Sequence, residues 1–281
     1  MIDFTDIECK IHCQYTSLTN TPPIKFHLHN EYEIYVLLSG NVHYFVEHTK
    51  YIIKRGDVLI FNSSEVHRPT FLNFDIPYSR YTIHFDPSFL SNYSCSEFRL
   101  LSCFEDRAIG EGNILRLSEK PFSLLTSYIE SMINIRSQKV KGWEIEYYSV
   151  FLQLLVLLQR EYKQYGNTET NHVNQLSEPL FEIIEYINDN LQNDLSLQSL
   201  EKKFFINKNY LCKLFREQTG NTIHNYINHK RIALAKNYLT NGSSVTDACH
   251  LSGFNDYSNF IRLFKQTTGF SPAKYRANMQ Q

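Results

Sequence analysis

The sequence is short of the features that commit a chain to an oxidising compartment or a membrane. Its six cysteines (Cys9, Cys13, Cys95, Cys103, Cys212 and Cys249) are scattered, with no Cys-x-x-Cys pair. They read as reduced thiols rather than a disulfide framework or a redox motif. The longest apolar run, VFLQLLVLLQ, is broken by Gln153. It falls far short of the roughly 20 residues that span a bilayer. The opening MIDFTDIECK has no basic start followed by an apolar core, so no secretory leader is expected. A cytoplasmic protein with no membrane partner is therefore expected. Net charge is scarce too: 281 residues carry a formal -1, which by itself argues against a polyanion partner.

The scarcity of net charge hides a strong asymmetry. Residues 195–281 hold twelve lysines and arginines against four acidic residues, a net of +8. Residues 1–194 hold sixteen against twenty-five, a net of -9. The basic end can neutralise phosphates, and the acidic remainder needs another task. Hydrophobic residues make up 42% of the chain and charged residues 20%, the balance of a globular protein long enough for two cores.

Residues 24 to about 86 read as strands. EIYVLLSG, NVHYFVEH, YIIKRGDVLIFN and YSRYTIHFD are rich in Tyr, Phe, Val and Ile and are separated by turn residues, which predicts a barrel or sandwich. From Pro121 the period changes to three and four. Leu124, Leu125, Tyr128, Ile129, Met132 and Ile133 mark one helix, and Tyr147, Tyr148, Phe151, Leu154, Leu155 and Leu158 a second. The second is apolar on more than one side, through Val150, Val156 and Leu157, so it is expected between the barrel and a second subunit. The polar, aperiodic stretch 164–178 reads as a linker, and helices follow it.

The basic end contains a repeat. NKNYLCKLFREQTG (207–220) and DYSNFIRLFKQTTG (256–269) share a skeleton, Leu211, Phe215, Gly220 against Phe260, Phe264, Gly269, at an offset of 49 residues. A short helical stretch precedes each, so two helix-turn-helix units are predicted. In the first unit, Leu211, Leu214 and Phe215 face inward while Asn209, Cys212, Lys213 and Arg216 form one outward stripe, with Lys208 beside them. In the second, Phe260, Leu263 and Phe264 face inward and Ser258, Asn259, Ile261, Arg262 and Lys265 outward. An apolar back with a Lys, Arg and Asn front is what a major-groove helix requires. Asn207 and Asp256 are good N-caps that turn each helix start, with its N–H groups, toward phosphates. Between the units, residues 222–239 predict one helix of about 27 Å. That is comparable to the roughly 34 Å between successive major grooves on one face of DNA. Lys230, Arg231 and Lys236 on it are phosphate candidates.

VTDACHLSGFNDYSNFIRLFKQTTGFSPAKYR closely resembles the C-terminal signature of the AraC/XylS family of bacterial transcription regulators, over about residues 178–279. The resemblance implies two helix-turn-helix subdomains on asymmetric promoter DNA, most often in an activator, with RNA polymerase as a partner. It places the base readers at Asn209, Cys212 and Lys213, and at Ser258, Asn259 and Arg262. The first unit departs from the family pattern: Glu201 stands where a small residue is usual, and Phe205 where Gly is frequent.

The acidic half contains His27-x-His29-x3-Glu33-x6-Gly40, which resembles the first cupin motif, and Gly56 and His67 of the second, with Asn62 and Ser64 in place of its Pro and Gly. His27, His29 and Glu33 alternate on one strand face and can converge inside a barrel. With His67 they are the candidate ligands for Fe, Mn, Ni or Zn. The resemblance to AraC-type regulators implies instead a sensor that works without metal, and no cofactor is expected. No second acid–base pair suggests catalysis, so no enzyme is expected. Tyr35, Tyr44, Phe61, Tyr81, His84 and Trp143 offer stacking faces and donors for a sugar or small carboxylate. Arg80, mid-strand between tyrosines, needs an anionic or carbonyl partner if buried.

The expected architecture is multidomain α+β. An effector-sensing cupin-like barrel (1–119) leads into a helical homodimerisation segment (120–163), a linker (164–177) and an all-α DNA-binding domain (178–281) with two helix-turn-helix subdomains joined by a long helix. Effector contacts are expected from His27, His29, Glu33, Tyr35, His67, Arg80 and His84. The rival readings are a metal-binding cupin sensor or enzyme fused to a DNA-binding module, and a regulator controlled by a protein partner.

Overall fold

The computed structural model describes residues 10–20, 31–47, 49–73, 75–90, 93–95, 97–165, 173–219 and 221–279. The first half is built from strands β1 (Ile11–Leu18), β2 (Tyr32–Ser39), β3 (Asn41–Val46), β4 (Thr49–Ile53), β5 (Asp57–Phe61), β6 (His67–Asn73) and β7 (Tyr78–Phe85). A small hairpin, β8 (Ser94–Cys95) and β9 (Phe98–Arg99), the short helix α1 (Ser102–Glu105) and β10 (Ile114–Arg116) follow. Two helices, α2 (Glu119–Gln138) and α3 (Trp143–Tyr165), complete it.

The strands form a five-stranded sheet, β1-β7-β2-β5-β10, and a four-stranded sheet whose described members include β4-β3-β6. Alternation on the five-stranded sheet divides its residues between two cores. Ile34, Val36, Val58, Ile60, Ile83 and Phe85 point toward α2 and α3, where they meet Leu125, Ile129, Met132, Phe151 and Leu154. Tyr35, Leu37, Leu59, Phe61 and Tyr78 point the other way, into a core shared with Val42, Tyr44 and Val46 of β3. With both faces covered, β2 is buried continuously from Glu33 to Leu37. On α3, Phe151, Leu154, Leu155 and Leu158 are buried, each contributing roughly 1.5–3 kcal/mol. Gly40 makes the β2–β3 turn possible: its φ is 112°, and a Cβ there would lie 3.1 Å from the Tyr78 Cα.

β1 lies outside the stretch expected to form strands, and β6 lies inside it but between the four runs that mark it. β1 buries only Ile11 and Cys13 among polar neighbours, and β6 contains Pro69, which suits the edge of its sheet. A further strand, β11 (Val173–Gln175), falls inside the polar stretch 164–178 and pairs antiparallel with β4.

The second half is helical: α4 (Glu178–Asp189), α5 (Leu197–Phe204), α6 (Lys208–Thr219), α7 (Ile223–Thr240), α8 (Val245–Leu251), α9 (Tyr257–Thr268) and α10 (Pro272–Met279). It packs directly on the barrel. Phe45 of β3 and Val66 join the core made by Leu180, Ile183 and Ile184 of α4, Phe215 of α6, and Tyr226 and Ile227 of α7. At the β3–β4 turn, Glu47 is fully buried at a φ of 54°. Its carboxylate accepts from Lys230 Nζ at 2.9 Å and lies 3.0 Å from the Tyr226 hydroxyl. Lys236 Nζ donates to the Ser63 carbonyl at 3.1 Å.

Burial pushes the Lys236 amine from its ordinary 10.5 down to about 7. The docked chain therefore releases a proton that the unfolded chain keeps up to about 10.5, so this group makes folding less favourable as pH falls from about 10.5 to about 7 and adds no further change below. The wild-type melting temperature should gain on that of Lys236→Met as pH rises through that window. A flat difference between the two, measured at pH values across it, would count against this burial.

Candidate nucleic-acid interface and sensor pocket

The two repeated units form as helix pairs at either end of α7. In the second, Ser244 accepts from Asp247 N at 3.1 Å to start α8, and Asp256 accepts from Asn259 N at 3.0 Å to start α9. Gly269, at a φ of 77°, closes α9. Phe260 and Phe264 are fully buried, within 5.2–5.6 Å of Phe254, Tyr275 and each other between ring centroids. That aromatic back holds the helix and leaves Ser258, Arg262 and Lys265 exposed, with Asn259 half-buried. Arg262 Nη2 donates to Asn259 Oδ1 at 2.8 Å, which fixes the guanidinium fork on the outward face.

In the first unit Leu211 and Phe215 are buried, and Lys208, Asn209, Lys213 and Arg216 are exposed beside half-buried Cys212. Lys213 lies 3.8 Å from Glu217 in an exposed pair of little energetic weight. The unit differs from its twin in three ways. Its first helix starts 48 residues before its counterpart, whereas the second helices are 49 apart, and its turn has three residues (205–207) against five (252–256). Phe205 takes the left-handed position at a φ of 54° with 95% of its surface exposed, where the second unit has Gly253 at 87°. Glu201, which corresponds to buried Cys249, reaches across the turn and accepts from Lys208 N at 3.0 Å. Asn207 accepts from Asn209 N at 2.9 Å. Part of each recognition helix's N-terminal N–H set is thus taken by its own side chains instead of standing open to phosphates.

The three phosphate candidates on α7 are engaged within the chain. Lys230 and Lys236 are buried against the barrel, and Arg231 donates to the Leu191 and Asn193 carbonyls at 2.9 and 2.8 Å. Those three side chains tie the helical half together and to its neighbour.

Inside the barrel, register brings most of the expected pocket residues together. Glu33 pairs with His84 across β2 and β7, and Glu33, Tyr35, Arg80 and His84 fall on one face. The His67 ring stacks on Phe61 at 4.0 Å and 6°. Its Nε2 lies 2.9 Å from Glu33 Oε2, and its Nδ1 2.9 Å from the Glu65 carbonyl. A carbonyl only accepts, so Nδ1 is the donor in that contact. The Arg80 guanidinium carbon sits 5.6 and 5.7 Å from the Tyr35 and Tyr78 ring centroids. Burial pulls its pKa down, but the surrounding tyrosines and Glu33 outweigh that and raise it. Among the described residues, Arg80 Nε and the neighbouring Tyr44 hydroxyl are buried without hydrogen-bond partners.

His84 Nδ1 is 3.9 Å from Glu31 near the surface. Two expected lining residues turn away: Tyr81 points to the helices and donates to Glu130 at 3.1 Å, and Trp143 packs on Tyr147. His27 and His29 lie outside the described residues. Among the described residues no three His, Cys, Asp or Glu side chains are grouped as a metal requires. No described helix is long and apolar enough to cross a membrane.

A β-rich half carrying a polar, arginine-bearing interior, followed by paired helix-turn-helix units, defines a DNA-binding transcription regulator with its own sensor domain. Residues 19–155 match the model of the AraC-like ligand binding domain, and residues 200–278 that of a helix-turn-helix domain. The chain belongs to the AraC family. It is 36% identical over 102 residues to the uncharacterized HTH-type transcriptional regulator YijO of Escherichia coli (strain K12), which takes in 36% of each chain. It is 25% identical over 258 residues to the HTH-type transcriptional activator RhaR of Mannheimia succiniciproducens, 91% of this chain and 88% of that one. The match thus spans little over a third of YijO and most of RhaR. The crystal structure of ToxT from Vibrio cholerae O395 aligns over 96% of this chain and 99% of its own, at 15% identity and a TM-score of 0.39.

The two turns respond oppositely to substitution. A Cβ on Gly253 would lie 2.1 Å from the Leu191 carbonyl oxygen, a backbone atom that cannot step aside. Gly253→Ala should lower stability by about 1–3 kcal/mol or more, and Phe205→Gly should raise it by about 1 kcal/mol by relieving a left-handed non-glycine residue. Urea unfolding of the two variants checks both signs.

Proposed function

We propose that this chain is a transcription activator controlled by a small molecule bound in the barrel. The chain divides into a sensor (1–119), a helical dimerisation segment (120–163), a linker (164–177) and a DNA-binding domain (178–281). The reading of the sensor rests on Arg80. A half-buried guanidinium with a buried, unpartnered Nε, near the unpartnered Tyr44 hydroxyl and the Glu33–His67 pair, suits a ligand that brings a carboxylate and further oxygen atoms. Tyr35, Tyr78 and Phe61 supply its apolar walls. The effector is a small carboxylate, with sugar acids in the same chemical range.

On the DNA side, Lys208, Asn209, Cys212, Lys213 and Arg216 of α6 and Ser258, Asn259, Arg262 and Lys265 of α9 face the duplex. The 18 residues of α7, about 27 Å long, are comparable to the roughly 34 Å between successive major grooves on one face of DNA. Exposed apolar side chains on and beside α2 and α3, Leu124, Val140 and Ile145, favour a homodimer formed through this segment. Activation implies contact with RNA polymerase on the bound promoter.

Arg262→Ala and Lys213→Ala should each weaken binding to a duplex selected with the wild-type chain by about 1–3 kcal/mol, and relax preference at one base position. Undiminished affinity in both variants refutes the assignment. A thermal-shift screen of small carboxylates should find stabilisers of the wild-type chain that have no effect on Arg80→Met. A screen in which the stabilisers act equally on both removes Arg80 from the pocket.

A further inference from the structure

The two recognition helices hold their basic side chains in opposite directions. On α9, Arg262 Nη2 donates to Asn259 Oδ1 at 2.8 Å, three residues toward the helix start. On α6 the residue at the matching place, 49 positions earlier, is Lys213, and it lies 3.8 Å from Glu217, four residues toward the helix end. Neither partner is repeated in the other unit. Tyr210 stands where Asn259 would be, and Gln266 where Glu217 would be. Among the described residues Arg262 forms no ion pair, so its charge is not neutralised within the chain.

Direction matters because the N-terminal residues of a recognition helix are the ones that meet base edges in the major groove. A guanidinium drawn toward the helix start is carried to that end, and an ammonium drawn toward the helix end is carried away from it. Asn259 is itself well placed to hold a neighbour. Its backbone N–H donates to the N-cap Asp256 at 3.0 Å, and Phe260 beside it is fully buried. Its side chain is half-buried, whereas Arg262 is exposed. An asparagine reads adenine by presenting its oxygen and its N–H side by side to N6 and N7. With the oxygen turned along the helix to Arg262, that pair is not presented. The guanidinium gives up one N–H and keeps a fork that fits O6 and N7 of guanine. A neutral amide orients the fork without cancelling its charge, which the carboxylate beside Lys213 does in part.

We propose that Asn259 is a positioning residue and not a reader of its own: it holds the Arg262 fork for a guanine, and the two side chains together specify one base pair. Two independent readers would specify two. This role of Asn259 rests on the placement of α9 against the duplex given above.

The test uses the full chain and a duplex selected with it from a random pool, with every base pair of the site replaced in turn. Arg262→Ala should lose about tenfold or more of the discrimination at one base pair, where the selected duplex has a guanine. Asn259→Ala should lose about threefold to tenfold at that same base pair and nothing at any other. The double variant should discriminate there as Arg262→Ala does alone, because the amide acts only through the guanidinium. Asn259→Asp keeps an acceptor oxygen for the fork. It should keep the preference for guanine while binding all duplexes more weakly through its added negative charge. A second base pair relaxed by Asn259→Ala, or losses that multiply in the double variant, makes Asn259 an independent reader and overturns the proposal. So does an Asn259→Asp variant that discriminates no better than Asn259→Ala, or an Arg262→Ala variant that relaxes a base pair without a guanine. If Arg262→Ala leaves every preference intact, the placement of α9 on the duplex fails and this role fails with it. If Arg262→Ala relaxes the guanine and Asn259→Ala does not, the placement stands and only the role of Asn259 falls.

Discussion

The burial of one sheet on both faces organises this protein. Because the five-stranded sheet is covered by α2 and α3 on one side and by the second sheet on the other, each strand must send alternate residues to two different environments. Ile34, Val36, Ile83 and Phe85 go to the helices and make an ordinary apolar core. The intervening positions face the barrel interior, and there the chain places Glu33, Tyr35, Arg80 and His84. A one-residue slip would exchange the two sets and bury Arg80 among leucines. The helices thus fix the register that gathers the polar interior.

Much of this was legible in the sequence, and the failures have physical reasons. β2, β3, β5 and β7 announced themselves through dense β-branched and aromatic runs. β1 did not, since IHCQYTSL offers two buried apolar residues among polar ones, and β6, inside the stretch expected to be strands, lacked a run of its own because of Pro69. The repeat at 49 residues located both recognition helices, yet not the shorter turn of the first unit, because spacing within the second helices carries no information about the turns before them. Tyr81 and Trp143 look like lining residues in a list of aromatics, and only strand parity and helix position show that they face elsewhere. Lys230 and Lys236 were misjudged for a related reason. A lysine on a basic helix reads as exposed unless its partner is known, and the partners, Glu47 and Ser63, lie more than 170 positions away.

The two helix-turn-helix units are alike in their backs and unlike in their turns. Both bury a pair of apolar side chains one helical turn apart, Leu211 with Phe215 and Phe260 with Phe264, and this core requirement preserves the repeat. The turns answer to different neighbours. Gly253 is pressed against the Leu191 carbonyl and has no room for a side chain. Phe205 points into solvent, so nothing beyond backbone strain disfavours it, and the carboxylate of Glu201 secures the following helix from outside. The second unit is therefore fastened to the rest of the domain through its turn, the first through its flanking helices.

The short strand β11 changes what joins the two halves. By pairing with β4 it occupies a sheet edge that would otherwise be open. It also anchors the connection, since only Leu176 and Ser177 separate its end from the first residue of α4. A tether that short keeps the halves at a high local concentration of each other even when their contact is broken.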